Sequence, residues 1–295
     1  MEGCLLVAST ALAVLASVLS TLSPCFMSGR HFTTGALNFP SAAIMSRGTP
    51  RNARRKKKIR VVVLGIVLAG SVIGLVFLLY SYPPMDEARQ ALQSDATVTV
   101  EQGNQVVFSP VTANVTTGLV LYPGGKVNHV AYAPLAKAIA AHGYLVVIVP
   151  MPLDLAVLAP GRAASVIASH ADIETWAVGG HSLGGAMAAS FVHDNPGSAA
   201  GLVLLAAYPA NWQSLADAPI QAISIWGTRD GVVRRDINAT RSLLPPGSTF
   251  LPIEGGNHAY FGYYGEQLGD NAASITRQQQ HEITTAAITG FLAGL

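Results

Sequence analysis

The sequence predicts an α/β protein with a doubly wound, mostly parallel sheet, preceded by an N-terminal transmembrane helix. Three observations predict it. From Thr97 onward, short apolar runs alternate with helical stretches. Ahead of them stands an uncharged run of 20 residues, Val61 to Tyr80. A basic cluster, Arg51 to Arg60, sits directly before that run.

Residues 1–60 form a basic tail with nine Lys/Arg against one acid, whereas residues from 97 onward carry eight Lys/Arg against twelve Asp/Glu. The net charge of +2 therefore conceals two oppositely charged parts. A nucleic-acid partner would need basic residues clustered on the folded domain, and they are absent there. Both cysteines, Cys4 and Cys25, lie in the tail. The domain thus has no disulfide, cysteine nucleophile or thiolate metal site. Residues 4–22 are a second uncharged stretch, which reads either as a weaker membrane segment or as an artefact of start-site choice. Met45 opens a compact alternative of a short basic tail followed by the anchor.

At about 1.5 Å per residue, residues 61–80 span a hydrocarbon core of about 30 Å. A buried core helix of that length would show a polar stripe, and none is visible. The run is too long for a signal peptide and lacks a small-residue cleavage site. The basic flank places the tail in the cytoplasm and everything after Tyr80 outside it, as a single-pass anchor. Gly70 and Gly74 have helix-pairing spacing, but in an apolar 20-mer that arises by chance, and no oligomeric state follows.

Residues 81–96 read as a linker with one short polar helix. The domain, 97–295, begins with a strand pair, Thr97–Glu101 and Gln105–Phe108, joined through Gly103-Asn104. Buried strands are expected at Gly118–Tyr122, Tyr144–Val149, Thr175–Val178 and Leu202–Ala206, with two more at Gln221–Trp226 and Thr249–Ile253. Helices are expected at Ala131–Ala141, Ala163–His170, Leu183–His193, Val232–Leu243 and Gln278–Leu292.

The chemistry centres on Gly180-His181-Ser182-Leu183-Gly184, between an apolar strand and a helix rich in small residues. A sharp strand–helix turn puts its serine in a strained backbone conformation and excludes side chains two positions away, hence Gly180 and Gly184. A serine hydroxyl needs a base, and the base an orienting carboxylate. Asp230 follows the strand ending at Trp226, and His258 lies in the loop after the next strand. Both fall where ligand-facing loops of a parallel sheet converge. Asp236 and Glu254 are alternative acids. His181 is expected to support the turn by packing or hydrogen bonding; the other histidines read as surface or tail residues. An oxyanion needs N–H donors: Leu183, and a residue of Tyr122-Pro-Gly-Gly-Lys126, with Gly125 preferred over Lys126. A phosphate-cradling reading of that glycine loop lacks the Lys-Ser/Thr ending it requires.

These residues resemble the α/β-hydrolase superfamily, in particular its compact, cap-less esterase and dienelactone-hydrolase-like branch with a serine nucleophile. The resemblance rests on Tyr122–Lys126, Gly180–Gly184, Gly227–Gly231 and Gly255–His258, and covers about Thr97 to Leu295. It implies an eight-stranded sheet, a Ser182/Asp230/His258 triad, and no metal or organic cofactor. Two departures stand out. The oxyanion loop reads Tyr-Pro-Gly-Gly where many relatives carry His-Gly, and only Tyr208 to Pro219 occupies the place of a cap. Dienelactone hydrolases use cysteine at the turn, so that activity is not implied.

The expected function is a carboxylesterase cleaving neutral acyl esters, small or lipid-like, through an acyl-enzyme. Met151, Tyr208, Trp212, Tyr260 and Phe261 follow strand ends and are expected to form the substrate rim, or else simply to pack. Two other readings use the same sequence: acyl transfer to a lipid or cell-envelope acceptor, and a non-catalytic binding protein of this fold. The intact triad weighs against the second.

Overall fold

A computed structural model describes residues 50–111, 114–233 and 235–295. The apolar stretch 4–22, both cysteines and Met45 lie outside them. The chain divides into two compact units, one ending at Leu75 and the other running from Val76 to Leu295.

Helix α1 (Pro50–Leu79), most of which belongs to the first unit, begins with proline, whose missing N–H is harmless at the first helical position. Within it, Lys58–Val76 is long and apolar enough to cross a membrane, and none of it is buried against protein. Its apolar residues run all round the helix rather than along one stripe.

The second unit carries an eight-stranded sheet: β1 (Val98–Gln102), β2 (Val106–Pro110), β3 (Thr117–Tyr122), β4 (Leu145–Ile148), β5 (Thr175–His181), β6 (Gly201–Leu205), β7 (Gln221–Gly227) and β8 (Thr249–Ile253). The spatial order is β1-β2-β4-β3-β5-β6-β7-β8. β1 and β2 form the expected hairpin, and β2 pairs antiparallel with β4. All remaining pairs are parallel. Helices α2 (Asp86–Gln90), α3 (Ala133–Ala140), α4 (Arg162–Ser169), α5 (Leu183–Asp194) and α6 (Arg277–Leu292) complete the unit.

Alternate residues of each strand feed opposite layers, because successive side chains point to opposite faces. Leu119 and Leu121 of β3 pack with Leu135 and Ile139 of α3 and Ile288 of α6. Val120 and Tyr122 pack on the other face with Val166 of α4 and Ala188 and Ala189 of α5. Helices cover both faces, so the parallel strands read as unbroken apolar runs rather than as alternating ones. Burying each such Val, Leu or Ile contributes about 1.5–3 kcal/mol.

Two expectations are corrected. The helix anticipated over Val232–Leu243 is only a 3₁₀ segment, Ile237–Leu243. Asp230 Oδ1 accepts from the N–H groups of Val232 and Val233, and Asp236 caps the later segment through Asn238 N–H. These side-chain acceptors hold the backbone in turns instead of a helical ladder. His281, expected at the surface, is buried with its ring edge-on to Tyr263. Burial, assisted by the Arg277 charge, pushes its pKa down to about 3. Between β6 and β7 no helix or strand lies among the described residues.

Candidate active site

The register aligns the strand ends. His181 is level with Leu205, Leu205 with Ile225 and Ile225 with Leu251. The segments leaving β5, β7 and β8 therefore emerge at one edge, and these carry Ser182, Asp230 and His258.

Ser182 is the N-cap of α5 with φ 52° and ψ −122°, the left-handed backbone expected of the turn. Non-glycine residues hold such a conformation only where the surroundings enforce it. Close packing enforces it here. A Cβ on Gly180 would lie 2.6 Å from the Gly184 carbonyl carbon, and one on Gly184 only 2.3 Å from the Pro123 oxygen. Gly185 abuts Ala207 and Gly180 in the same way. Ser182 N–H donates to the Leu205 carbonyl at 2.9 Å, tying the turn to β6. Its side chain stands at the positive end of the α5 dipole.

Asp230 Oδ2 lies 2.7 Å from His258 Nδ1, with the side chains 5% and 0% exposed. Oδ1 accepts from Val232 and Val233 N–H, each at 2.8 Å, so three donors fix the carboxylate. With Nδ1–H donated to Asp230, His258 keeps a lone pair on Nε2. That nitrogen is buried and has no hydrogen-bond partner among the described residues. The His258 ring lies 4.4 Å, centroid to centroid, from that of His181, the residue preceding Ser182. The alternative acids are elsewhere: Glu254 and Asp236 are exposed, and Asp236 acts as a cap.

The loop after β3 separates its N–H groups by use. Gly124 N–H donates to Tyr132 Oη at 2.9 Å, and Lys126 N–H to the Asp154 carbonyl at 2.7 Å. Gly125 N–H donates to no described group, and Leu183, first residue of α5, precedes the intrahelical ladder. The two are adjacent: a Cβ on Gly125 would meet the Leu183 side chain at 3.0 Å. Lys126 Nζ also donates to the Leu153 carbonyl, and Lys126, Leu153 and Asp154 all have φ of 53–60°. Backbone strain thus gathers where this loop is braced.

Tyr132 and His181 form a second buried pair, Oη to Nδ1 at 2.8 Å. Burial raises the Tyr132 pKa, keeping the phenol protonated. Burial, and then the nearby His258, hold the His181 pKa well below the usual range, keeping that ring neutral. Since Tyr132 Oη accepts from Gly124, its own proton goes to His181 Nδ1, which assigns the proton of His181 to Nε2. A Cβ on Gly124 would come within 2.8 Å of both partners. Tyr132→Phe should leave the Gly124 N–H and His181 Nδ1 buried without partners. A loss of about 2–6 kcal/mol is expected at 1–3 kcal/mol per unsatisfied group. Calorimetry should register this as a Tm decrease of roughly 4–24 °C, and an unchanged Tm would refute the pairing.

The five rim residues divide. Trp212 is 76% exposed, and Tyr208 and Tyr260 are half-buried under Arg235 and Arg277 respectively. Met151 and Phe261 are core residues, and the Phe261 ring lies 5.6 Å from that of His181.

Several supports carry no sequence motif. Asp270 accepts from Gly231 N–H and Ala259 N–H, clamping the segments that follow Asp230 and His258. Gln280, fully buried on α6, both accepts from and donates to the Asn257 backbone. Arg277 donates to the carbonyls of Ala259, Gly262 and Gly265. A polar residue on a helix reads as solvent-facing from sequence, and the local pattern present here, the Thr276–Gln279 capping box at the start of α6, marks the helix and not these contacts. Among the described residues no three His, Cys, Asp or Glu side chains gather to hold a metal.

Residues 118–282 match the family model described as "Alpha/beta hydrolase family". No curated protein matches the sequence.

Proposed function

From the premise that the chain belongs to the α/β hydrolase family, whose model covers more than half of it, we propose that it is a membrane-anchored serine carboxylesterase. Ser182 is the nucleophile, His258 the general base and Asp230 the residue that orients it. The observation that carries this reading is the 2.7 Å Asp230–His258 pair, buried beside the turn that holds Ser182 at φ 52°.

In the proposed reaction, His258 Nε2 takes the Ser182 hydroxyl proton as Oγ attacks the ester carbonyl. The Leu183 and Gly125 N–H groups receive the oxyanion, and neither donates to a described group. His258 then protonates the departing alcohol. Water, deprotonated by the same nitrogen, releases the acid and restores Ser182. Asp230 holds the ring in the tautomer that leaves Nε2 able to accept, and no cofactor takes part. The alcohol and acyl portions enter from the carboxyl edge, with Trp212, Tyr208 and Tyr260 nearest to solvent.

Residues 61–80 are read as the anchor, with the basic tail in the cytoplasm and the hydrolase domain outside. A membrane-impermeant fluorophosphonate tests the chemistry and the side together. It is expected to label the full chain on intact, sealed cells, with the adduct on the peptide bearing Ser182. Labelling only after lysis would reverse the orientation, and none after lysis would refute the serine nucleophile.

A further inference from the structure

The chain that leaves the apolar helix does not run freely to the domain. Tyr82, six residues past Val76, forms a parallel bridge with Val127, directly after the glycine loop. Its N–H donates to the Lys126 carbonyl at 2.7 Å, and its own carbonyl accepts from Asn128 N–H at 3.1 Å. The Tyr82 ring packs at 5.6 Å from Tyr264, and its hydroxyl accepts from Leu268 N–H at 3.2 Å. Met85 N–H donates to the Tyr263 carbonyl at 2.8 Å. The segment is therefore stitched on one side to the loop that bears Gly125 and on the other to the segment that follows His258.

Exposed apolar side chains flank this strap at both ends. On one side Lys126 Nζ reaches the carbonyl of Leu153, whose side chain is 51% exposed and followed by the exposed Val157 and Leu158. On the other, Leu268 is 92% exposed one hydrogen bond from Tyr82. Leu153, Lys126, Tyr82 and Leu268 thus form one hydrogen-bonded line with leucine at each end. A fully extended chain of six residues reaches at most about 20 Å. Whatever path the backbone takes after Val76, Tyr82 stays within that distance of the end of the apolar stretch, and the loop it braces is one hydrogen bond further on.

Resting on the reading of an anchored serine hydrolase, we propose that this leucine-tipped rim sits on the bilayer that residues 58–76 enter, and that the ester substrate is an amphiphile drawn from that bilayer. Tethering keeps the rim at high effective concentration near the lipid, so a few leucines suffice. Contact is apolar rather than electrostatic, because the residues from 97 onward carry twelve acids against eight bases and have no attraction for anionic headgroups.

The test uses the full chain in phosphatidylcholine vesicles. The indole introduced by Leu268→Trp should be quenched by dibrominated phosphatidylcholine beyond the background of the native tryptophans. An unquenched indole overturns the proposal. In parallel, hydrolysis of bilayer-dissolved 4-methylumbelliferyl oleate is compared with that of aqueous p-nitrophenyl acetate. The double substitution Leu158→Asp with Leu268→Asp should lower oleate turnover tenfold or more and change acetate turnover less than twofold. Oleate turnover unchanged, or both falling together, overturns the proposal. Wild-type protein that cleaves neither ester counts against the hydrolase reading itself, and the quenching measurement still decides the membrane contact.

Discussion

Ser182→Ala is expected to lower kcat for ester hydrolysis by about 10⁵–10⁶-fold with little change in KM, the scale found when a triad nucleophile is removed. The substitution deletes only Oγ. Backbone strain at φ 52° is imposed by the packing of Gly180, Gly184 and Gly185, not by the hydroxyl, so the turn and the neighbouring N–H groups should persist. Residual activity should come from those donors and from substrate positioning, which alone leave about 10³–10⁴-fold over water. Steady-state kinetics on a soluble ester, with circular dichroism to establish folding, measures this. A well-folded variant retaining more than a tenth of wild-type kcat would remove Ser182 from the mechanism.

Asp230→Asn should reduce kcat by about 10³–10⁴-fold near neutral pH, and the geometry dictates why. Oδ1 is held by two backbone donors, Val232 and Val233 N–H, so the asparagine oxygen must occupy that position. Its amide then faces His258 Nδ1 and donates to it, driving the imidazole proton to Nε2. The base is lost although the side chain has nearly the same shape, a wrong-tautomer effect worth about 10⁴-fold where it has been measured in such triads. Asp230→Ala removes the orienting group without enforcing the wrong tautomer, and should be no more damaging. Comparing kcat of the two variants at fixed pH checks the argument. Asparagine at wild-type activity would show that the 2.7 Å contact plays no catalytic part.

Much of the architecture was legible because it is locally encoded. The apolar runs of β3 through β7 were visible because helices cover both faces and all but the end residues and Trp226 are buried. Leu183 as the start of α5 and the glycines around Ser182 follow from one tight turn. Val232–Leu243 misled because its apolar spacing is helical, while the acceptors that redirect its backbone, Asp230 and Asp236, act through side chains. Helix α6 was found, but its inward face is lined by Gln280, His281, Thr284 and Thr285. Polar residues facing inward cannot be told from solvent-facing ones by periodicity.

Sequence by itself pointed to the family, most of the strand–helix order and the apolar helix ahead of the domain, and singled out Ser182, Asp230 and His258 as candidates, because short-range patterns and chemical roles mark each of these. Tertiary structure alone decided which groups are committed to one another. Gly125 rather than Lys126 keeps an uncommitted N–H because Asp154, 28 positions away in sequence, takes the other one. Tyr132 fixes His181, Asp270 clamps two loops, and Tyr82 joins the chain that follows α1 to Val127, just after the glycine loop, across 45 positions. Each is a hydrogen bond between residues far apart in the chain, formed only once the sheet has brought its carboxyl edge together.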